Sequence, residues 1–318
     1  MSDMGKVLLI ANPTAQSGKS LKAAMHAEKS FMAVLGERNF EIIYTKAPGH
    51  ATDIAKSKSH KFDTLIALGG DGLIHETVNG IMKHSRKSRP AFGVIPVGSG
   101  NDYAKTLNMS TNVDDAISKI LMRRTKEADL GCINGEYYDE TLSFGFDAAI
   151  ALSTMDLRKK TNMRGLPLYF RAGIDQMLHH LDLYKYTITA KDITYVNGYK
   201  SLMQDGTPFK SDTFMSAIQI GPTYGGGFKI CPEAQIDDGL FDICIAHPPL
   251  NIPKALTVFS SAVGGHHTNM RGIEMFRCSE LELAFEQEPK IQADGEPIRG
   301  TEFKITCVKH ALDVIYSE

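Results

Sequence analysis

The chain has 318 residues, a formal net charge of −2 and a charged fraction of 23%. A chain of this length is expected to form two domains with sizeable cores, and its near-neutral charge argues against a nucleic-acid-binding protein, whose binding face is basic. It contains no run of about 18 apolar residues, which argues against a membrane-spanning helix.

Strands and helices alternate over the first 130 residues. Four apolar runs predict strands, at 7–10, 40–44, 65–68 and 90–97. The amphipathic segments between them predict helices, and this alternation is typical of a parallel sheet covered by helices. In such sheets ligands bind at the carboxyl ends of the strands. Three glycine-containing loops fall there, at 12–20, 69–72 and 98–102.

The segment Gly69-Gly70-Asp71-Gly72 joins the third of these strands to a helix. Glycines allow backbone N–H groups to approach a phosphate closely, and the dipole of the helix favours negative charge at this point. An aspartate in such a turn would repel a bare phosphate, so Asp71 implies either a bound metal ion or a proton to be removed. The alternative is an ordinary turn between a strand and a helix.

From about Asp129 onward, segments in which apolar and polar residues alternate dominate the sequence. They predict antiparallel strands, at 184–195, 213–220, 240–246, 280–285, 302–308 and 312–316. Two helical patterns interrupt them, at 170–181 and 253–263, and the run Gly225-Gly226-Gly227 predicts a flexible loop. A mostly antiparallel β-sandwich or flattened barrel is therefore expected after the α/β domain, with a linker at 123–129.

Two acidic turns occur in this second half. The segment 231–242 carries four carboxylates, and its oxygen-rich composition suits Mg²⁺ or Ca²⁺ as well as it suits an ordinary hairpin loop. The segment Asp294-Gly295-Glu296 is also a turn, and its carboxylates are candidates for a general base. The histidine pairs His179-His180 and His266-His267 lack the spacing of a metal site.

Five cysteines are scattered along the chain without a CxxC pair, and no signal-peptide pattern precedes the first strand. These features predict reduced thiols and a cytoplasmic protein. Short basic clusters such as Arg158-Lys159-Lys160 are typical of a solvated surface, although anionic membranes attract them. Any contact with lipid is therefore expected to be made from the surface of the membrane.

Seven motifs follow one another along nearly the whole chain: Asn12-Pro13, Gly69-Gly70-Asp71-Gly72, Gly98-Ser99-Gly100-Asn101-Asp102, Asp129-Leu130-Gly131, Gly145-Phe146-Asp147-Ala148, Pro232–Asp242 and Asp294-Gly295-Glu296. Together they resemble the bacterial soluble diacylglycerol kinase and lipid kinase family, which is related to the sphingosine kinases and more distantly to the NAD kinases. The resemblance implies an N-terminal parallel-sheet α/β nucleotide-binding domain (1–130) and a C-terminal, mostly antiparallel β-sandwich domain for the lipid (131–308). It also implies that the tail, 309–318, returns to the first domain.

The resemblance implies an activity and a set of ligands. The γ-phosphate of ATP would be transferred to a lipid hydroxyl with Mg²⁺ as cofactor, most simply from ATP to diacylglycerol to give phosphatidic acid. ATP would contact Asn12, Pro13, Thr14, Ala15, Gln16, Thr45, Gly69, Gly70, Asp71, Gly72, Leu73, Glu76, Ser99, Asn101 and Asp102. Metal ligands would be Asp71, Asp102 and Asp129 at the phosphates, and Gln235, Asp238 and the Leu240 carbonyl at a structural site in the β domain.

The remaining implications concern proton transfer and partners. Glu296 would be the general base for the lipid hydroxyl, with Asp71 as the alternative base and Asp294 as a further catalytic residue. The lipid partner would be reached by peripheral association with the inner face of the membrane, and no nucleic acid would be bound. A homodimer is compatible with the sequence but is not specified by it.

Two positions depart from the family pattern. Leu73 stands where the bacterial proteins usually have threonine, so that the segment looks more like the sphingosine kinase version, and Gln16 stands where a glycine is common. Two alternatives to a diacylglycerol kinase therefore stay open. One is a kinase for another lipid alcohol, such as a sphingoid base or a phospholipid head group; the other is a nucleotide-binding regulator whose kinase activity has decayed.

Overall fold

The computed structural model describes residues 4–161, 163–179, 182–195, 203–248 and 251–318. The chain divides into two compact units, Met1–Ala128 with His310–Glu318 (unit 1) and Asp129–Lys309 (unit 2). His180 and Leu181, which belong to patterns noted in the sequence, lie outside the described residues. Within the described ranges, no helix is long and apolar enough to cross a lipid bilayer.

Unit 1 is built on a parallel sheet. Its strands are β1 (Val7–Ala11), β2 (Phe40–Tyr44), β3 (Thr64–Gly69) and β4 (Ala91–Pro96), and its helices are α1 (Lys19–Leu35), α2 (His50–Lys58), α3 (Asp71–Ile81), α4 (Asp102–Thr106) and α5 (Val113–Met122). The strands run parallel in the order β2-β1-β3-β4. Every residue of β1, β3 and β4 is buried, as expected for parallel strands covered by helices. The fold class predicted for the first half is confirmed.

In the part of unit 2 that the structure describes, there are two antiparallel sheets and three helices. The strands are β5 (Thr125–Ile133, which begins in unit 1), β6 (Glu136–Tyr138), β7 (Thr141–Gly145), β8 (Tyr184–Lys191), β9 (Phe209–Thr213), β10 (Met215–Gln219), β11 (Phe241–Ala246), β12 (Ile273–Cys278), β13 (Glu280–Phe285), β14 (Ile291–Ala293), β15 (Glu296–Pro297) and β16 (Glu302–Ile315). The helices are α6 (Phe146–Thr161), α7 (Gly165–His179) and α8 (Ile252–Ala262). One sheet has the order β12-β11-β10-β7-β14-β15, and in the other β13 lies between β8 and the first half of β16.

Aromatic side chains fill the space between the two sheets of unit 2. Phe144 of β7 stacks on Phe285 of β13 with a centroid distance of 5.2 Å, and it meets Phe303 of β16 edge-on at 5.4 Å. All three rings are buried. Since β7 belongs to one sheet and β13 and β16 to the other, the sheets pack face to face, which is the sandwich that the alternating pattern predicted.

The last residues of β16 belong to unit 1, where they complete its sheet. Val314 pairs with Phe92 of β4 in a parallel arrangement. Arg86 fixes the strand from the side, because its two terminal nitrogens donate to the Asp313 carboxylate at 3.0 and 2.7 Å. Arg89 adds a hydrogen bond to the Ala311 carbonyl at 2.8 Å. The bidentate geometry of Arg86 holds the tail in register.

The structure differs from the predicted secondary structure at three points. The segment 123–129, predicted as a linker, contains the boundary between the units, but β5 runs through it as a strand from Thr125 to Ile133. The two strands predicted at 302–308 and 312–316 form one strand, in which His310 has a φ of 51° that interrupts the alternation of side chains. Helix α6 was missed because its apolar residues are nearly consecutive, from Phe146 to Leu152, and hide the helical period.

The run Gly225-Gly226-Gly227, predicted as a flexible loop, forms a closed turn. Tyr224 and Phe228 exchange two backbone hydrogen bonds across it, at 3.0 and 2.9 Å. The three glycines have φ angles of 64°, 79° and 134°, which side-chain-bearing residues rarely adopt. The glycines are therefore required by the geometry of the turn.

Candidate active site

Three loops lie side by side at the carboxyl edge of the sheet in unit 1, where they follow β1, β3 and β4. Their backbones stay hydrogen-bonded beyond the ends of the strands. Asn12 N donates to Leu68 O at 3.1 Å, and Val97 N donates to Gly69 O at 2.9 Å. The parallel sheet therefore brings together the three loops that the sequence predicted as a ligand site.

The glycines of the second and third loops are in direct contact. A Cβ atom added to Gly98 would lie 2.4 Å from the Cα atom of Gly70, so a side chain has no room at this point. Asn101 closes the third loop in a left-handed conformation, with a φ of 53°. Its Oδ1 accepts from Gly98 N at 2.8 Å and its Nδ2 donates to Gly98 O at 3.1 Å. The contact between Gly70 and Gly98 and the hydrogen bonds of Asn101 thereby fix the backbones of the second and third loops.

The Asp71 carboxylate joins the second loop to the third. Its Oδ2 accepts from Asn101 N at 3.0 Å, and its Oδ1 accepts from Asp102 N at 2.9 Å. Burial, and then the negative charge of Asp102, raise the pKa of Asp71 to about 6, although the two N–H donors act in the opposite direction. A cation placed beside these two carboxylates would neutralise both.

The space beside Gly100 is bordered by both carboxylates. A Cβ atom added to Gly100 would lie 2.6 Å from Asp71 Oδ2 and 3.1 Å from Asp102 Oδ2. Lys105 Nζ lies 2.8 Å from Asp102 Oδ1 and supplies one positive charge to the pair. Mg²⁺ in kinases is typically bound through one or two carboxylates together with phosphates and water. Asp71 and Asp102 therefore fit the expected ion, although across the described ranges no three His, Cys, Asp or Glu side chains form a ready-made metal centre.

The first loop is shaped by Asn12. Its Oδ1 accepts from Thr14 N at 3.0 Å and from Thr14 Oγ1 at 2.9 Å, which forms a tight turn around Pro13. Ala15 and Gln16 follow in a short 3-10 helix. Thr45, at the end of β2, is tied to the same edge because its N–H donates to Ala11 O at 2.9 Å. These predicted ATP contacts share one edge of the sheet, and Ser99 lies in the third loop, partly buried.

Two other predicted ATP contacts, Leu73 and Glu76, have packing roles that the sequence did not indicate. Leu73 is only 7% exposed, and its side chain covers Gly69, where an added Cβ atom would lie 2.4 Å from Leu73 Cδ2. The Glu76 carboxylate accepts from Gly49 N at 2.8 Å and from Ala51 N at 3.1 Å, at the start of α2. A carboxylate stabilises a helix at this end. A threonine in place of Leu73 would put its hydroxyl in the core rather than at the loop surface.

Asp129, the third predicted ligand at the phosphates, belongs to unit 2 and is fully buried. Its Oδ2 accepts from Gly239 N at 2.6 Å, and its own N–H donates to Ile236 O at 2.6 Å. Both bonds hold the turn that carries the other predicted metal ligands, Gln235, Asp238 and Leu240. Asp129 therefore shapes this turn.

Two basic side chains already supply positive charge to this turn. Arg277 Nε donates to Asp242 Oδ1 at 2.9 Å, and Arg277 Nη1 lies 4.0 Å from Asp238 Oδ2. Lys309 Nζ donates to Asp238 O at 3.3 Å, while Asp238 Oδ1 accepts from Leu240 N at 2.9 Å. Asp238 Oδ1 and the Asp238 carbonyl therefore already have protein donors, and Arg277 and Lys309 supply positive charge where the resemblance implies a structural metal.

Replacement of Arg277 by methionine is expected to destabilise the protein by about 3 kcal/mol, because it leaves the Asp242 carboxylate buried without its partner. The Asp242 side chain is 4% exposed, and Arg277 Nη2 also donates to the Glu233 carbonyl at 2.6 Å. Urea unfolding of the two proteins measures the difference. Arg271→Met, at an exposed arginine of the same unit, is the matched control.

The loss caused by Arg277→Met should depend on pH. Burial raises the pKa of Asp242 to about 6 even with Arg277 present, and removal of the guanidinium raises it further. A raised carboxyl pKa costs stability as the pH rises through it, so the loss is expected to shrink toward about pH 4, where Asp242 is protonated in the folded state of both proteins. If Arg277→Met lowers the free energy of unfolding no more than Arg271→Met does, Arg277 is not the counter-ion that stabilises the buried Asp242.

The segment Asp294-Gly295-Glu296, which carries two of the predicted catalytic carboxylates, is the tip of a hairpin between β14 and β15. Asp294 and Gly295 have φ angles of 49° and 92°, as in a two-residue turn of the primed type. The Asp294 carboxylate accepts three backbone N–H groups, at 2.9, 3.1 and 3.0 Å, from residues 139–141. Asp294 therefore holds the hairpin in place, while Glu296 is exposed next to it.

Asp147 was quoted in a motif but given no role by the sequence. It lies at the start of α6, is 4% exposed, and borders an apolar cavity of about 50 Å³ within unit 2. Burial raises its pKa to about 7, and a hydrogen bond with Ser143 acts in the opposite direction. The only signal in the sequence was a carboxylate among apolar residues after Gly145.

Sequence profiles of two domains cover almost the entire chain. The diacylglycerol kinase catalytic domain matches residues 6–133, and the YegS C-terminal NAD kinase beta sandwich-like domain matches residues 141–316. The boundary between the two matches lies close to the boundary between units 1 and 2. The second match alone covers more than half of the chain.

Relatives with assigned names agree with these matches. The chain is 27% identical over 303 residues to a diacylglycerol kinase of Bacillus subtilis, which covers 92% of this chain and 90% of the relative. It is 29% identical over 252 residues to a Yersinia enterocolitica protein named "probable lipid kinase YegS-like", with 79% and 77% covered.

A crystal structure of a diacylglycerol kinase from Bacillus anthracis superposes with a TM-score of 0.76. The superposition covers all of this chain and 98% of the other, at 21% sequence identity, and so supports the fold. The ordered motifs, the two matched domains and the named relatives point to one conclusion. The chain belongs to the diacylglycerol kinase and YegS-like family and is a lipid kinase.

Proposed function

We propose that this lipid kinase uses ATP and Mg²⁺ to phosphorylate the free hydroxyl of diacylglycerol. The observation that carries the nucleotide part is the pair Asp71 and Asp102, whose carboxylates border one space at the end of a parallel sheet. Burial, and then the negative charge of Asp102, raise the pKa of Asp71, and a bound cation would favour its charged form. The lipid part rests on the family, since relatives bear the names diacylglycerol kinase and lipid kinase.

The roles of the residues follow from their surroundings. Asp71 and Asp102 would hold Mg²⁺, which when bound neutralises charge on the transferring phosphoryl group. The contact between Gly70 and Gly98 leaves backbone without side chains beside these carboxylates, so that phosphate oxygens can approach it. Lys105 is ion-paired with Asp102 and would keep that side chain in place.

Glu296 is proposed as the general base. It is an exposed carboxylate, and the three hydrogen bonds to Asp294 fix the hairpin that presents it. In phosphoryl transfer the acceptor hydroxyl loses its proton to a positioned carboxylate without strong activation. Asp71 is less suited to this role, because both of its oxygen atoms already accept backbone hydrogen bonds.

The proposal is tested by incubating the protein with [γ-³²P]ATP, Mg²⁺ and mixed micelles that contain one lipid at a time. Diacylglycerol, a sphingoid base and phosphatidylglycerol would be compared. Label in phosphatidic acid, dependent on Mg²⁺, is the expected result. Label in another lipid would replace diacylglycerol as the substrate, and ATP binding without labelled lipid would favour a regulator.

A further inference from the structure

The outer side of α7 carries an unusual stripe of apolar residues in unit 2. Leu166, Phe170, Ile174 and Leu178 follow one another at intervals of four and so share one face of the helix. Ile174 is 37% exposed and Leu178 is 57% exposed. The opposite face, which includes Leu168 and Ala172, is buried in the unit. The stripe therefore packs against the unit at Leu166 and Phe170 and is exposed at Ile174 and Leu178.

Helix α8 lies beside α7 and extends the exposed apolar surface. Phe170 of α7 stacks on Phe259 of α8 with a centroid distance of 5.4 Å. Gly173 makes this contact possible, since an added Cβ atom would lie 2.2 Å from the Phe259 ring. Ile252 and Leu256 of α8 are 44% and 41% exposed. Large apolar side chains exposed together on neighbouring helices mark a surface that meets an apolar partner.

Positive charge surrounds the beginning of this stripe. Arg158, Lys160, Arg164 and Arg171 are exposed on or next to α6 and α7, and Asp175 is an exposed acid on the same stretch of α7. This local excess of positive charge occurs in a chain whose net charge is −2. Apolar side chains bordered by arginine and lysine are the combination that an anionic lipid surface attracts.

We propose that the outer face of α7, extended by α8, is the surface by which this protein docks on an anionic lipid bilayer. The proposal rests on the proposed function as a kinase of a membrane lipid. A second copy of the chain suits this face less well, because a twofold contact would place two faces of the same positive charge against each other. The bilayer offers both the apolar interior and the negative charge.

The test is binding to sedimented vesicles of phosphatidylcholine with or without about 30% phosphatidylglycerol. The wild-type chain is expected to bind the anionic vesicles, and Ile174→Glu with Leu178→Glu should lower the affinity by about tenfold or more. Arg164→Glu with Arg171→Glu should remove the preference for anionic vesicles. Leu21→Glu with Met25→Glu is the matched control, because these α1 residues are 41% and 59% exposed in unit 1.

Two further measurements separate docking from catalysis. With dihexanoylglycerol, which is soluble as a monomer, the Ile174→Glu/Leu178→Glu variant should keep wild-type turnover if the kinase proposal holds. If neither protein turns over dihexanoylglycerol while the wild-type chain still binds the vesicles, the kinase proposal is wrong and the docking proposal is unaffected. Equal vesicle binding by wild type and variant would overturn the docking proposal. A variant that instead abolishes self-association in sedimentation velocity would also overturn it, since the face would then join two copies.

Discussion

Replacement of Asp71 by asparagine is expected to lower the rate of phosphoryl transfer by about 10³-fold or more, equivalent to about 4 kcal/mol of transition-state stabilisation. The substitution removes the charge that is proposed to hold Mg²⁺ and keeps the size of the side chain. The fold should persist. One of the two backbone N–H groups now bound by Asp71 loses its acceptor, but the repulsion between Asp71 and Asp102 is also relieved. Radiolabel transfer and thermal unfolding measure the two effects.

The same variant should change the pH dependence of Mg²⁺ binding. Because the pKa of Asp71 is raised to about 6, the wild-type site is protonated in mild acid and gains affinity for Mg²⁺ as the pH rises from about 5 to about 7. Asp71→Asn should show weak binding with no such rise. Asp53→Asn, at an exposed aspartate of α2, is the control and should behave as wild type. An unchanged Mg²⁺ affinity in Asp71→Asn would remove Asp71 from the metal site.

Much of the architecture could be predicted from local pattern. The buried strands of unit 1 are short apolar runs that end at glycine-containing loops, and a parallel sheet has only one edge at which such loops can meet. Apolar and polar residues alternate along the strands of unit 2, and this pattern predicts a sandwich although it does not give the register in which the strands pair. Helix α6 escaped prediction because its first half is a nearly continuous apolar run, 146–152, which residue order alone does not distinguish from a buried strand.

The candidate site was predictable in composition but not in contacts. The sequence predicted functional roles for Asp71, Asp102 and Glu296, but it did not show that Asp71 receives its hydrogen bonds from a loop 30 residues away. It also did not show that Arg277, on a strand distant in sequence, lies 4.0 Å from Asp238. Contacts of this kind depend on tertiary packing, which a single sequence does not encode in any local pattern. The resemblance to a family therefore contributed roles, and the structure contributed surroundings.

Replacement of Glu296 by glutamine is expected to lower kcat by about 10² to 10⁴-fold, the usual contribution of a general base. The KM for ATP should stay unchanged, since the nucleotide is proposed to bind at unit 1. The side chain is exposed and glutamine has the same shape, so the melting temperature should not move. Glu282→Gln, an exposed glutamate on β13 of the same unit, is the matched control. Full activity in Glu296→Gln would transfer the role of base to Asp71.

A comparison with Asp294→Asn distinguishes the base from the residue that positions it. The asparagine cannot accept three backbone N–H groups as the carboxylate does, so this variant should lose both activity and thermal stability. Glu296→Gln should lose activity alone. If the two variants instead lose equal stability, Glu296 supports the hairpin, and its effect on kcat would not identify a proton acceptor. Only Gly295 separates the two residues, so general damage to the turn should affect the stability of both variants alike. A loss of stability in Asp294→Asn alone therefore reflects the distinct roles of the two side chains.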